Sequence, residues 1–247
     1  PDIHGAHLEG PFVSPHKLGA QPPFAVPPHP DLVREVLETG IVRVVTLAPE
    51  WGRAGGACQE FAGAGVGVGL GKMRAEYAQP EQAICTMCGA GGTVGATHLF
   101  NAMAPIEGRR PGPATALMCS DAAYAEMILD THHVHPATFR MAARLMDGRL
   151  LLVTDAMRGT GLPDGPSQLG GQEVMIRDGV VRLPGGSLAG SVLTLDVALR
   201  NAVESGGVAL PRAADLVSGA PARYLGLHDR GVLAEGRRAD FVVFDEQ

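Results

Sequence analysis

The run Ala96-Thr-His-Leu-Phe-Asn-Ala-Met-Ala-Pro-Ile-Glu-Gly-Arg-Arg-Pro-Gly112 is the stretch around which the chain is best read. It follows a Gly-rich run and places His98, Asn101 and the pair Arg109/Arg110 in one short segment. A His at a strand end can ligate a metal, an Asn amide with exposed backbone N–H groups can hold an anion, and an Arg fork suits phosphate. The combination suggests a metal site beside a phosphate or carboxylate site. The same residues would also serve as a buried His followed by two surface arginines.

Working outward, polar residues recur where apolar runs stop. Pro1 to Gly10 reads as a strand already under way, ending in His7-Leu-Glu-Gly-Pro-Phe12, with Gly10-Pro11 as the stop. Glu9 at that end is a plausible ligand for a hard or borderline metal, or a surface Glu before a turn. The Pro-rich loop through Gln21 and Pro30 is long enough to cover a site. A helix is expected over Asp31–Thr39, then a strand Ile41–Leu47 leading to Glu50. Gly65–Gly71 reads as a weaker strand ending at Lys72; its glycines make a phosphate cradle conceivable but match neither nucleotide fingerprint. A helix is expected over Glu76–Cys88. Tyr124–Leu129 is a strand opening into Asp130-Thr-His-His-Val-His-Pro136, where His133 and His135, two apart on an extended segment, would point the same way. A helix follows over Ala137–Asp147 with Phe139, Ala142, Ala143 and Met146 inward. Leu150–Val153 is wholly apolar and so buried on both faces. Asp155 follows it, and a carboxylate there is costly unless paired or exposed in a pocket, which marks it as a catalytic candidate or a loop cap.

Beyond residue 156 the pattern changes. Glu173–Leu183 reads as a hairpin turning at Asp178-Gly179. A helix is expected from Ser187 to about Glu204, another over Leu210–Ser218, a helical turn at Pro221–Leu227, and a final strand over Ala239–Phe244 that could join the hairpin in a small sheet.

Six strands alternating with helices or loops, with polar residues at their C-terminal ends, define an α/β fold. Ligands gathered from many strand ends favour a (β/α) barrel over an open sheet, because barrel strands converge on one axis. A complete barrel has eight strands. The expectation is therefore a TIM-type barrel lacking its first two strands, a fragment with two unpaired edges and the aggregation liability they bring.

Composition agrees with a globular chain: 247 residues, 45% hydrophobic, with 34 Gly and 19 Pro that favour many short connections over a helical bundle. The formal net charge of −6 and the lack of a basic stripe argue against nucleic acid as a partner. No apolar run reaches the ~18 residues of a membrane span and no signal peptide is recognised, so a cytoplasmic protein without membrane contact is expected. Cys85-Thr-Met-Cys88 has no second pair to complete a zinc site and reads as a reduced pair on a helix.

Taken together, His7–Phe12, Lys17-Leu-Gly-Ala20, Ala96–Met103, Gly108–Gly112, His132–Pro136, Leu151–Met157 with Thr160–Gly165, and Ser187–Thr194 resemble the N-acetylglucosamine-6-phosphate deacetylases of the amidohydrolase superfamily. The match runs from about Ile3 to Asp245. The resemblance implies hydrolysis of the acetamide of N-acetylglucosamine 6-phosphate to glucosamine 6-phosphate and acetate, by a homodimer holding a divalent ion: zinc, or iron, manganese or cobalt. It implies Glu9, His98 and position 72 as metal ligands and Asp155 as the catalytic acid–base group. Substrate contacts fall on Ala20, Gln21, Asn101, Ala102, Arg109, His133, Leu188, Ala189 and Gly190. It also implies a small β-sandwich, dividing the chain into a partial barrel (1–172), a sandwich hairpin (173–186), remaining barrel helices (187–235) and a last sandwich strand (236–247).

Three positions depart from the family pattern. A metal-binding His is Lys72, a His is Gln21, and a Gly is Thr131. A protonated Lys has donors only. Lys72 thus leaves a site with little or no metal and a phosphosugar-binding relic, or a neutral amine ligand, or a carbamylated lysine. Another amidohydrolase activity, including deacetylation of N-acetylgalactosamine 6-phosphate, stands as the further alternative.

Overall fold

A computed structural model of the chain describes residues 2–243. Six parallel strands pair in sequence order: β1 Ala6–Glu9, β2 Val42–Leu47, β3 Gly67–Leu70, β4 Val94–Ala96, β5 Tyr124–Ile128 and β6 Leu150–Val153. Helices connect them: α1 Pro30–Glu38, α2 Ala54–Gly63, α3 Ala78–Gly89, α4 Gly112–Cys119 and α5 Pro136–Leu145. This is a curled α/β sheet, a partial (β/α) barrel. Both faces of a parallel sheet are covered, which favours apolar strands; β3 and β4 are buried at every position. The core lies between strands and helices, around Phe12, Leu47, Phe61, Leu70, Leu117 and Phe139, all fully buried. Among the described residues the outer edges of β1 and β6 pair with no further strand, as expected for the incomplete barrel.

Local chemistry sets the helix starts. His29 and His135 each precede a proline at the first helical position and accept a backbone N–H, from Asp31 into α1 and from Ala137 into α5. His135 is therefore a helix cap with an extended backbone of its own, and the chain bends at 131–134 before it. The expectation that His133 and His135 point the same way fails for that reason.

Three strands, β7 Gly165–Leu169, β8 Gln172–Arg177 and β9 Val180–Arg182, form a separate antiparallel sheet. The hairpin turns at Asp178-Gly179 as expected, both residues at positive φ. This sheet packs its own cluster of Met157, Val174, Ile176, Val181 and Ala189. Its first strand has the polar sequence Gly-Pro-Ser-Gln-Leu and carried no strand signal. The chain ends with α6 Leu195–Glu204, α7 Leu210–Val217 and α8 Gly219–Tyr224.

Several expected boundaries are corrected. β1 begins at Ala6, not at the start of the chain, and Pro1 lies outside the described residues. α6 begins at Leu195 rather than Ser187, because the Ser191 N–H donates to Asp155 O (2.8 Å) and Ser191 O accepts from the Met157 N–H (2.9 Å). Those bonds hold the segment extended. Ala239–Val243 forms no strand: it finds no partner among the described residues, and Phe241, Val242 and Val243 are exposed. Residues 244–247 lie outside the described part. α2, with its Ala-Gly-Gly start, and α4 were not anticipated. Cys85 and Cys88 lie on α3, reduced and exposed.

Candidate active site

Among the described residues, six of the seven non-Gly residues with positive φ follow the C-terminal ends of β3 to β6: Lys72, His98, Phe100, Ala102, Thr131 and Asp155. Such conformations are unfavourable for residues with a Cβ and persist where the surroundings over-determine them. The strain is concentrated at one end of the sheet, where the chain leaves each strand. Thr131, exposed with φ +69°, occupies a conformation that glycine would adopt without cost.

Glu9 at the end of β1 is the centre of the cluster. His98 Nε2 lies 2.6 Å from its Oε1 and Lys72 Nζ 3.5 Å from the same oxygen. Gln21 Nε2 donates to Oε2 at 3.1 Å and to the Glu9 carbonyl at 2.6 Å. Burial would raise the Glu9 pKa, but the His98 hydrogen bond and charge, then Lys72, outweigh it and hold the carboxyl at about 2. Burial alone would lower His98; the Glu9 partner raises it instead. Lys72 also donates to Leu18 O at 2.9 Å, so the Pro-rich loop does close over the strand ends. A cleft of about 270 Å³ beside Glu9 is lined by Leu8, Leu18, Gln21 and Phe24 among others. A wider cavity of about 650 Å³ over the small sheet, near Arg158 and Glu173, contains none of this chemistry.

Asp155, following β6, faces the same cluster. Its backbone oxygen is held by Ser191. Its side chain is open to solvent at the rim yet closely surrounded. That crowding raises its pKa; Glu9 raises it further, while His98, His133 and Lys72 pull it down. His133 is oriented by Asp130, with Nδ1 2.6 Å from Oδ2. Leu188–Gly190 lies alongside: a Cβ on Gly190, at φ +63°, would stand 3.4 Å from Asp155 O, while Ala189 is buried in the small-sheet cluster. Ala20 packs on that cluster too, and its carbonyl accepts from Gln172 Nε2 at 2.6 Å.

The structure therefore brings together Glu9, Gln21, Lys72, His98, His133 and Asp155, with Ala20 and Leu188–Gly190 at the edge. Asn101 and Ala102 form the turn after β4, where the Asn101 amide donates to His98 O (3.2 Å) and Leu99 O (3.3 Å). Arg109 is exposed on the loop before α4 and makes no ion pair among the described residues; Arg110 lies 3.7 Å from Glu76. Glu50, at another strand end, accepts the Arg74 N–H at 2.7 Å and ties two loops together.

A polar layer beneath the cluster, with Thr46, Thr97 and Glu126 buried and His7 at its open side, was missed in the sequence. His7 Nδ1 lies 3.2 Å from Glu126 Oε1, His7 Nε2 2.9 Å from Thr46 Oγ1, and Thr46 Oγ1 3.0 Å from Thr97 Oγ1. His7 stands two residues before Glu9 and so shares its face of β1. Glu126, alone in an apolar strand, was the readable signal. The β3 glycines make room for this layer and cradle no phosphate: a Cβ on Gly69 would lie 2.3 Å from Thr97 Oγ1.

Residues 113–247 match the Amidohydrolase family, more than half of the chain, and the chain belongs to that family. Along nearly its whole length it is similar to N-acetylglucosamine-6-phosphate deacetylase of Lysinibacillus sphaericus, 38% identical over 250 residues that cover 99% of this chain and 63% of that protein. It is also similar to N-acetylgalactosamine-6-phosphate deacetylase of Escherichia coli O157:H7, 37% identical, covering 98% of this chain and 64% of that protein. A mutant N-acetyl-D-glucosamine-6-phosphate deacetylase from Mycobacterium smegmatis, solved in complex with N-acetyl-D-glucosamine-6-phosphate, superposes with a TM-score of 0.91 at 41% identity, over 98% of this chain and 64% of that one. The chain thus spans slightly under two thirds of the length of these relatives.

Deacetylases of this family are metal-dependent, so the cluster can be tested as a metal centre. Glu9 Oε1 and His98 Nε2 are ordinary ligands of divalent ions. The third expected donor is Lys72 Nζ, whose two neighbours, Leu18 O and Glu9 Oε1, are both acceptors. Held between two acceptors, this nitrogen is placed as a donor, and a protonated lysine has donors only. Among the described residues no group of three or more His, Cys, Asp or Glu side chains is placed to hold a metal. The residues present do not fit a three-ligand divalent ion.

Proposed function

We propose that the chain hydrolyses the acetamide of an N-acetylamino-sugar 6-phosphate, N-acetylglucosamine 6-phosphate first, releasing acetate and the free amine. The observation that carries this reading is that Glu9, His98 and Asp155 follow the ends of β1, β4 and β6 at one end of the parallel sheet, with His98 Nε2 2.6 Å from Glu9 Oε1. Support comes from the names and close superposition of the relatives.

In this reading Asp155 takes a proton from the water that attacks the acetamide carbonyl. It then delivers that proton to the departing nitrogen, so that C–N breaks as C–O forms. A base needs its carboxylate free, and the Asp155 side chain has no hydrogen-bond partner among the described residues. His133, fixed by Asp130, would orient the sugar. Asn101, Ala102 and Arg109 would bind the phosphate, with Ala20, Gln21 and Leu188–Gly190 closing over the ring. The working protein on this reading is a homodimer, as the sequence resemblance implies, and cytoplasmic, as its reduced cysteines suggest.

Acetate release from N-acetylglucosamine 6-phosphate, N-acetylgalactosamine 6-phosphate and unphosphorylated N-acetylglucosamine tests the proposal. Turnover of the first above the other two is expected. Equal turnover with and without phosphate would remove the phosphate assignment. A second reading, binding of the phosphosugar without turnover, is favoured by Lys72 in a ligand position; saturable binding without acetate release would establish it.

A further inference from the structure

Two positions at which this chain departs from the pattern it resembles, 21 and 72, contact the same carboxylate. Gln21 Nε2 holds Glu9 Oε2 at 3.1 Å, and Lys72 Nζ stands 3.5 Å from Oε1, which His98 also engages at 2.6 Å. Both oxygens of the one carboxylate expected to hold a cation are thus surrounded by donors from the chain. Lys72 is built in: only 7% of its side chain is exposed. Its backbone follows Gly71, where a Cβ would stand 2.8 Å from Thr97 Cβ, so a larger residue there would displace the strand end that aims Lys72. The loop closes over the amine at Gly19, with φ +59°, where a Cβ would lie 3.3 Å from Nζ. A divalent ion between Glu9 and His98 would meet a like charge at contact distance.

We infer that Lys72 is the resident cation of this site: its ammonium takes the place a divalent ion would hold beside Glu9 and His98, and the chain retains no metal there. This deepens the proposed function at one point, the source of positive charge, and rests on it for the identity of the site.

The test uses the full chain purified without chelator, with folding checked by circular dichroism. Elemental analysis and zinc titration calorimetry of the wild type should show no stoichiometric ion. Lys72→His should take up about one zinc per chain, lost again when Glu9→Gln is added. About one ion on the wild type, lost in Glu9→Gln, overturns the inference. So does a folded Lys72→His that stays empty, or an intact-mass gain of one carboxyl group located on Lys72. Should Lys72→His not fold, the melting temperatures of Lys72→Gln, Glu9→Gln and the double variant decide: non-additive shifts are expected, and additive shifts overturn the inference. Acetate release is followed in the same samples. Turnover that survives chelation agrees with a resident ammonium, and turnover abolished by chelation refutes it. Absence of any turnover, with the metal results as expected, removes the deacetylase reading and leaves the assignment of Lys72 standing.

Discussion

His133 Nδ1 lies 2.6 Å from Asp130 Oδ2, while the other oxygen of the same carboxylate receives the backbone N–H groups of His132 and His133 at 2.9 and 2.7 Å. One carboxylate thus folds the turn after β5 and aims its imidazole. Burial pushes the Asp130 pKa up, but these hydrogen bonds and the His133 charge outweigh it and hold it below the ordinary value of 3.8. A lowered carboxyl pKa contributes stability that is complete above the unfolded value and is lost as pH falls through the folded one. Asp130→Asn should therefore cost on the order of 1–3 kcal/mol at neutral pH and progressively less as pH falls below 3.8. Urea unfolding at neutral pH and below 3.8 measures it. Equal losses at both would show that the carboxylate charge contributes nothing.

Asp155 shifts the opposite way, raised first by burial and then by Glu9. A base is active when ionised, so the acid limb of kcat/KM should fall above pH 3.8, the ordinary value for the group. Asp155→Asn should reduce acetate release by about 10²–10⁴-fold while phosphosugar binding persists. Calorimetry beside an acetate assay separates the two. Unchanged turnover in the variant would remove Asp155 from the reaction.

Gly69→Ala tests the polar layer under the site. The added Cβ would stand 2.3 Å from Thr97 Oγ1, and overpacking of a filled core costs typically about 1–3 kcal/mol. Combining it with Thr97→Ala should recover part of that loss in a denaturation experiment. No recovery would mean that something other than the Thr97 side chain limits the space.

Arg109 is exposed and without an ion pair among the described residues. If it clamps the phosphate, Arg109→Ala should raise KM for the phosphorylated sugar about tenfold or more and leave the unphosphorylated sugar unaffected. The variant should fold and melt like the parent. Parallel KM changes for both sugars would place the arginine elsewhere.

The strand ends could be read because each apolar β-run stops abruptly at a polar residue; Glu9, His98 and Asp155 all meet that description, and the structure gathers all three. Other features were hidden for identifiable reasons. The role of His135 depends on Pro136 beside it, which converts a ligand-like His into a cap. β7 has no apolar alternation because it is half-exposed at the edge of its sheet. Ser187–Leu193 has helical composition, but the backbone groups of Ser191 are taken by Asp155 and Met157, and its hydroxyl donates to Thr154 O. Glu126 stands out in its apolar strand, but its pairing with His7 across strands is a property of register that no local pattern carries. The apolar Ala239–Val243 has the signal of a strand without a partner to pair with.

Gln172 on the small sheet donates to the Ala20 carbonyl, a contact that spans 152 positions of the chain. The neighbouring Gln21 is one of the residues that hold Glu9. On a ribosome adding about 5–20 residues per second, the loop bearing Ala20 and Gln21 would wait on the order of ten seconds for the segment that fixes it. Glu9, synthesised before both, thus acquires its final surroundings only after Gln172 has emerged. Truncations that end before Gln172 should leave the loop with its bonds to the parallel sheet, such as that from Lys72 to Leu18 O, but without its tie to the small sheet, so the last constraint on this site arrives late in the synthesis of each molecule.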